Sequence, residues 1–307
     1  MRIAFLGTPE FALPSLRMLI DAGHTLAVFT QPDRPVGRHQ AAVPPPVKEL
    51  AHQYGLPVFQ PERIKSEAGL SALKSFAPDL MVTAAFGQLL SQENLAVPPR
   101  GCINVHASLL PRYRGAAPVH WALIRGETQT GVTTMQTDIG MDTGDILLQN
   151  AVTIEPDETA GELSARLSAL GASTLERTLC ALQNGTLRRT PQDGAEASTC
   201  PMLKKEHGRL DFSESAQELH NRVRGTNPWP GAFALLDGKP IKIWRTRLAD
   251  AKSEGPAGRC FGDAKAGLFL ACHEGTLEVL ELQSPGSKRL DGKSFLRGTP
   301  LSGKVLT

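Results

Sequence analysis

At 307 residues, 41% hydrophobic and 21% charged, the chain carries enough apolar material for two packed domains and is not a disordered protein. The formal net charge of +2 excludes no partner, but residues 201–307 are net basic and residues 1–200 net acidic, a distribution that suits a polyanion. Five scattered cysteines without a C-x-x-C (Cys102, Cys180, Cys200, Cys260, Cys272) exclude a disulfide framework or a zinc knuckle and point to a reducing compartment.

Residues 3–6 form a short apolar run closed by Gly7, and a helical period follows over 11–20; this predicts strand, turn and helix. The run is too short for a signal-peptide core, and no stretch reaches the roughly 18 apolar residues of a membrane helix. A soluble, cytoplasmic protein is expected. Further strands are predicted at 25–30, 57–59, 79–84 and 102–105, with helical patterns at 47–54 and 62–76 between them. The unbroken apolar run at 79–84 predicts burial on both faces. Strands alternating with helices predict an α/β fold with a doubly wound parallel sheet. The first turn lacks G-x-G-x-x-G, which argues against dinucleotide binding.

Two more strands are predicted at 130–138 and 145–154, and a long helix at 162–183. Residues 184–200 are rich in Gly, Thr, Pro and Asp and read as a linker. A helix at 213–223 and short runs at 232–236, 240–245, 267–272 and 276–283, punctuated by glycine, predict a small β-barrel. The expected organisation is a catalytic domain over 1–189, a linker over 190–206 and a C-terminal domain over 207–307.

Ligands of doubly wound sheets bind beyond the carboxyl ends of the strands. Asn104 and His106 stand there, at the end of the fifth predicted strand, and their spacing of two puts them on one side of an extended segment. An amine attacking a formyl carbonyl needs fixed donors for the developing oxyanion and an acceptor for the proton the amine gives up. Asn104 and His106 offer the donors. Asp142, in the glycine-punctuated run at 140–145, offers a carboxylate to orient the imidazole and to take the proton directly or through water. Taken singly, each has a duller reading: Asn104 as a turn residue, His106 as a satisfied histidine, Asp142 and Asp145 as loop carboxylates bonding their own backbone. A Ser–His–Asp hydrolase with Ser108 as nucleophile is a second reading, against which stands the missing G-x-S-x-G elbow. His106 and His120 are not in metal-ligand spacing and H-E-x-x-H is absent, so no metal is expected.

These residues belong to motifs that resemble the folate-dependent formyltransferase family along nearly the whole chain. They are F-L-G-T-P-E-F-A at 5–12, Q-P-D-R-P-x-G-R at 31–38, P-V-K-E-L-A at 46–51 and P-V-F-Q-P at 57–61. N-V-H-A-S-L-L-P-R-Y-R-G-A-A-P at 104–118, G-M-D-T-G-D at 140–145 and N-P-W-P at 227–230 complete the set. The resemblance implies a Rossmann-like catalytic domain and a C-terminal OB-like barrel. It implies 10-formyltetrahydrofolate as donor and the α-amine of methionine on initiator tRNA as acceptor. Asn104, His106 and Asp142 match the family's catalytic trio, and Ser108, Leu109, Leu110 and Pro111 its folate-binding segment. Arg38 matches a position in a loop that meets the tRNA acceptor end. A monomer is expected.

One stretch departs from the pattern. After Arg38 the tRNA-directed branch continues with glycine and lysines, whereas here the chain reads His39-Gln40-Ala41-Ala42-Val43. Lost phosphate contacts remove electrostatic affinity. The expected weight of RNA binding therefore shifts to Arg38 and to Lys204, Lys205, Arg209, Arg222 and Arg224. Trp229, framed by prolines, is expected to pack rather than to stack on a base. Two rivals remain: a formyltransferase acting on a sugar-nucleotide amine, and a non-catalytic RNA-binding protein on the same core.

Overall fold

The computed structural model describes residues 1–35 and 42–307; Arg38 lies outside the described residues. The chain divides into two compact units. The first comprises Met1–Gly115, Gly131–Val152 and Ser164–Thr199; the second comprises Ala116–Thr130, Thr153–Leu163 and Cys200–Thr307.

The first unit is built on a seven-stranded sheet in the order Ile146–Thr153, Gln129–Gln136, Cys102–His106, Leu80–Ala84, Arg2–Gly7, Thr25–Phe29, Val58–Phe59. From Cys102–His106 to Val58–Phe59 every pairing is parallel. Such strands need burial on both faces, and Leu80, Met81 and Val82 are fully buried, as are Ile3, Ala4, Phe5 and Leu6. Each of these larger side chains stabilises the fold by roughly 1.5–3 kcal/mol. The parallel order ends at the site: Cys102–His106 pairs antiparallel with Gln129–Gln136. His106 thus stands opposite Thr133 at the C-terminal end of the last parallel strand.

The helix foreseen from residue 62 begins at Glu67, because the Ser66 side chain accepts the Gly69 N–H and caps it there. Residues 190–198, read as linker, are held against the first unit. Thr190 and Ile146 exchange both backbone hydrogen bonds, at 2.8 and 2.9 Å. Ser198 Oγ accepts the Tyr113 N–H at 2.9 Å, and the Ser198 carbonyl accepts the Arg114 N–H at 2.8 Å.

The second unit is an antiparallel sheet domain. Its strands run in the order Ala232–Leu236, Lys239–Ala249, Thr276–Gln283, Gly267–Ala271, Cys260–Asp263, and Leu290–Asp291 also pairs with Thr276–Gln283. The strand foreseen at 240–245 runs on to Ala249 through a bulge around Arg245. The helix Ala216–Gly225 covers one face, its start fixed by a Ser215–Glu218 capping box and its inner side by buried Leu219 and Val223. The final residues bond to both sheet edges: Thr307 exchanges bonds with Leu235, and the Cys260 N–H donates to the Lys304 carbonyl. Among the described residues no helix is long and apolar enough to cross a membrane.

Candidate active site

Asn104 and His106 project from the strand Cys102–His106, and Asp142 reaches them from the loop before Ile146–Thr153. The Thr83 hydroxyl, on the neighbouring strand, donates to Asn104 Oδ1 at 2.8 Å. That bond fixes which way the amide faces and turns its NH2 toward Asp142, whose Oδ1 lies 3.5 Å from Nδ2. So long a contact leaves the donor available to a ligand.

His106 is buried, at 6% exposure. Its Nε2 lies 2.9 Å from the Tyr113 carbonyl, which only accepts, so Nε2 carries a proton. Nδ1 then faces Asp142 Oδ2 at 3.6 Å. In the neutral ring Nδ1 is a bare lone pair; in the cation it is a second N–H directed at a carboxylate. Asp142 Oδ2 also accepts the Gly115 N–H at 2.8 Å. The carboxylate of Asp142 therefore lies within reach of both the Asn104 amide and the His106 imidazole.

Local backbone geometry serves this meeting. Tyr113 has φ 61° and Asp142 φ 53°, both in the left-handed region that side chains other than glycine seldom occupy. Such residues store roughly 1–3 kcal/mol each. The turn at Tyr113 presents its carbonyl to His106; the turn at Asp142 presents its carboxylate. Gly144 allows the same loop to lie on the carbonyl of Gln136, where a Cβ would collide. Gln192 secures the loop from outside: its Nε2 bonds the Asp142 and Gly144 carbonyls, and its Oε1 accepts from the Arg114 guanidinium at 2.8 and 3.0 Å.

The segment 108–111 is organised from within. Ser108, 1% exposed, donates its hydroxyl to the Arg112 carbonyl at 2.7 Å. With Ser108 so directed and His106 Nε2 held by Tyr113, the Ser–His–Asp reading is set aside. The Leu110 N–H bonds Thr133 Oγ1 at 3.1 Å, and its carbonyl accepts from Gln149 at 2.8 Å. Leu110 is buried, while Leu109 and Pro111 keep partial exposure.

The basic candidates divide. Lys204, Lys205 and Arg209 are exposed. Arg222 is ion-paired to Glu214 at 2.6 Å. Arg224 is 7% exposed and bonds Asn221 Oδ1 and the Glu155 carbonyl at 3.0 and 3.3 Å; desolvation holds its pKa below the usual guanidinium value. Both arginines serve the second unit's own structure. Trp229 is 51% exposed rather than packed away. Among the described residues no group of three or more His, Cys, Asp or Glu side chains is arranged to hold a metal.

Sequence reasoning missed Thr83, Gln192, and the Tyr113 and Gly115 backbone groups. Thr83 lies inside an apolar strand, Gln192 inside a stretch with linker composition, and main-chain groups carry no sequence signal.

The sequence model of the formyl transferase family matches residues 1–179, and that of the formyl transferase C-terminal domain matches residues 202–300. The methionyl-tRNA formyltransferase of Geotalea uraniireducens is 50% identical over 308 residues, covering 100% of this chain and 98% of the relative. That of Geobacter metallireducens is 49% identical over 302 residues, covering 98% and 96%. Among solved structures, the sugar 3N-formyl transferase WlaRD, with dTDP and 5-N-formyl-THF, aligns at TM-score 0.69 and 18% identity over 94% of this chain and 99% of that one. HypX from Aquifex aeolicus, in complex with tetrahydrofolic acid, aligns at TM-score 0.66 and 17% identity over 96% of this chain and 47% of that one, so this chain spans about half its length. At such identities the likeness is one of fold. With family models matching both halves, and about half of all positions shared with relatives over their full length, the chain belongs to the formyl transferase family.

Proposed function

We propose that this chain transfers the formyl group of 10-formyltetrahydrofolate to the α-amine of methionine esterified to initiator tRNA, giving N-formylmethionyl-tRNA for translation initiation. The observation that carries the chemistry is the meeting of Asn104, His106 and Asp142 at the end of a parallel strand. The near-half identity to methionyl-tRNA formyltransferases carries the choice of acceptor over a sugar-nucleotide amine.

In this reading the amine nitrogen attacks the formyl carbon and a new C–N bond forms. The carbonyl oxygen becomes an oxyanion, which the Asn104 amide and the His106 imidazole stabilise. Asp142 orients the His106 ring and takes the proton released by the amine, directly or through water. Collapse of the intermediate breaks the bond to N10 of the folate, and the proton passes to that nitrogen. No metal takes part. Leu109 and Pro111 supply apolar wall for the pteridine, and Ser108 and Leu110 hold that wall from behind.

The remaining assignments follow from the same reading. The catalytic function is assigned to 1–189 and tRNA binding to 207–307, with 190–206 as the connection, of which residues 190–198 stay bonded to the first unit. The second sheet, with the final residues bonded to both its edges, is read as an OB-like barrel, and Arg38 as a contact to the acceptor end. The protein works as a cytoplasmic monomer. Transfer of labelled formyl from its folate carrier to charged initiator tRNA, compared with charged elongator tRNA and a sugar-nucleotide amine, tests the reading. Equal transfer to a sugar-nucleotide amine, or none to methionyl-tRNA, overturns it.

A further inference from the structure

The N-P-W-P motif at 227–230 has no part in the transfer chemistry. In the structure its Trp229 and Pro230 line a cavity of about 620 Å³ in the second unit. Trp229, Pro230, Phe233 and Pro285 supply apolar wall, and Lys205 and Lys242 are the cationic side chains of the lining. The volume lies in the range of small-ligand pockets. Trp229 is 51% exposed, which leaves about half of its surface open to a ligand in the cavity.

The lysines are placed for an anion. Lys242 Nζ is 3.4 Å from the Pro230 carbonyl and 4.8 Å from the Trp244 ring centroid, a ring that also lies under the Arg289 guanidinium. Gly231, at φ 81°, makes that seat: a Cβ there would meet the Trp244 ring at 3.0 Å and Lys242 Nζ at 3.3 Å. Among the described residues neither Lys205 nor Lys242 has a carboxylate partner. The cavity therefore combines an open aromatic face with two uncompensated ammonium groups. A flat ring carrying an anionic group fits that combination.

We infer that this cavity receives one unpaired nucleotide of the RNA acceptor, its base stacked on Trp229 and its phosphate at Lys205 and Lys242. The inference rests on the reading of the acceptor as a tRNA. Stacking of this kind is sequence-tolerant and strong enough for a single side chain to matter.

The test is binding of initiator tRNA to the full-length protein, by filter retention at fixed salt. Trp229→Ala raises Kd about tenfold, and Trp229→Phe restores most of the loss. Lys205→Gln and Lys242→Gln each raise Kd a few-fold and reduce the slope of log Kd against log salt by about one. In the parent protein tRNA shields tryptophan emission from acrylamide, and Trp229→Phe abolishes that shielding. Circular dichroism and thermal midpoint establish which variants are folded. Wild-type Kd in folded Trp229→Ala and Lys242→Gln overturns the proposal. So does a loss confined to the lysine variants, which would describe plain electrostatic contact. If the parent formylates methionyl-tRNA and the variants bind like it, only the cavity assignment fails. If the parent formylates no methionyl-tRNA, the functional reading fails, whatever the binding result.

Discussion

Gln192 Nε2 donates to the Asp142 carbonyl at 2.8 Å and to the Gly144 carbonyl at 2.7 Å, while its Oε1 is held by Arg114. A side chain from a linker-like stretch thereby ties down the loop that presents the carboxylate. Gln192→Ala is expected to lower kcat by about ten- to a hundredfold, since an ångström of misplacement at a reacting group costs on that order. KM for both substrates should stay near the parent value. Gln192→Glu should do no better, because a carboxylate opposes two carbonyl oxygens. A kcat unchanged in both variants would show that the loop holds its place without the strut.

His106→Ala and Asp142→Asn should each reduce turnover by about 10²- to 10⁴-fold, the range for lost proton transfer and charge support. Circular dichroism should be unaltered. Because Nδ1 of His106 and Oδ2 of Asp142 face each other at 3.6 Å, the double variant should be little slower than the worse single one. Steady-state rates for the three proteins decide it; additive losses would mean that the two groups act separately.

Thr83→Val removes the donor that orients Asn104 Oδ1 and leaves the amide free to flip. In the proposed mechanism a flipped amide offers oxygen where the oxyanion would form. The expected loss in kcat is about tenfold, smaller than the roughly hundredfold or greater loss for Asn104→Ala, where the donor itself is gone. A Thr83→Ser variant should recover most of the activity. If Thr83→Val works at the parental rate, the hydroxyl does not govern the amide.

Burial pushes the pKa of His120 and of His220 below the ordinary 6.5, against hydrogen bonds to the Gly225 and Pro156 carbonyls that raise it. As pH falls through the unfolded value the unfolded chain takes up protons first. The stability these histidines contribute is thus complete above about pH 6.5 and declines as pH drops toward their folded values. Thermal midpoints measured between about pH 7.5 and 5.5 should fall, and His220→Asn should flatten that fall even if it lowers the midpoint throughout. An unchanged pH slope in a His120, His220 double variant would refute this origin.

Much of the first unit was legible because its elements are local. The apolar run at 79–84 reads as a strand buried on both faces, and Leu80, Met81 and Val82 are so buried. Asn104 and His106 were legible as a pair, since alternation along a strand fixes their common side. Their meeting with Asp142, nearly forty residues on, came from the motif resemblance and the chemistry rather than from spacing. The antiparallel turn of the sheet at Gln129–Gln136 was not legible, because strand direction is set by the pairing partner.

The second unit shows the other limit. Arg222 and Arg224 read as candidates for RNA binding, yet one is paired to Glu214 and the other is buried. Trp229 read as packing, yet half its surface is open. The same unit takes in Ala116–Thr130, where His120 bonds the Gly225 carbonyl at 2.8 Å. A cut after residue 206 would therefore divide this unit instead of releasing it whole.

The sequence by itself determined the strand periods and the family, and it named the candidate site residues, because each is written in neighbouring residues. The tertiary structure alone decided which carbonyl holds His106, which hydroxyl turns Asn104, and which glutamine anchors the loop of Asp142. Those contacts join segments distant along the chain through directional hydrogen bonds, and several of the groups are main-chain atoms that every residue shares.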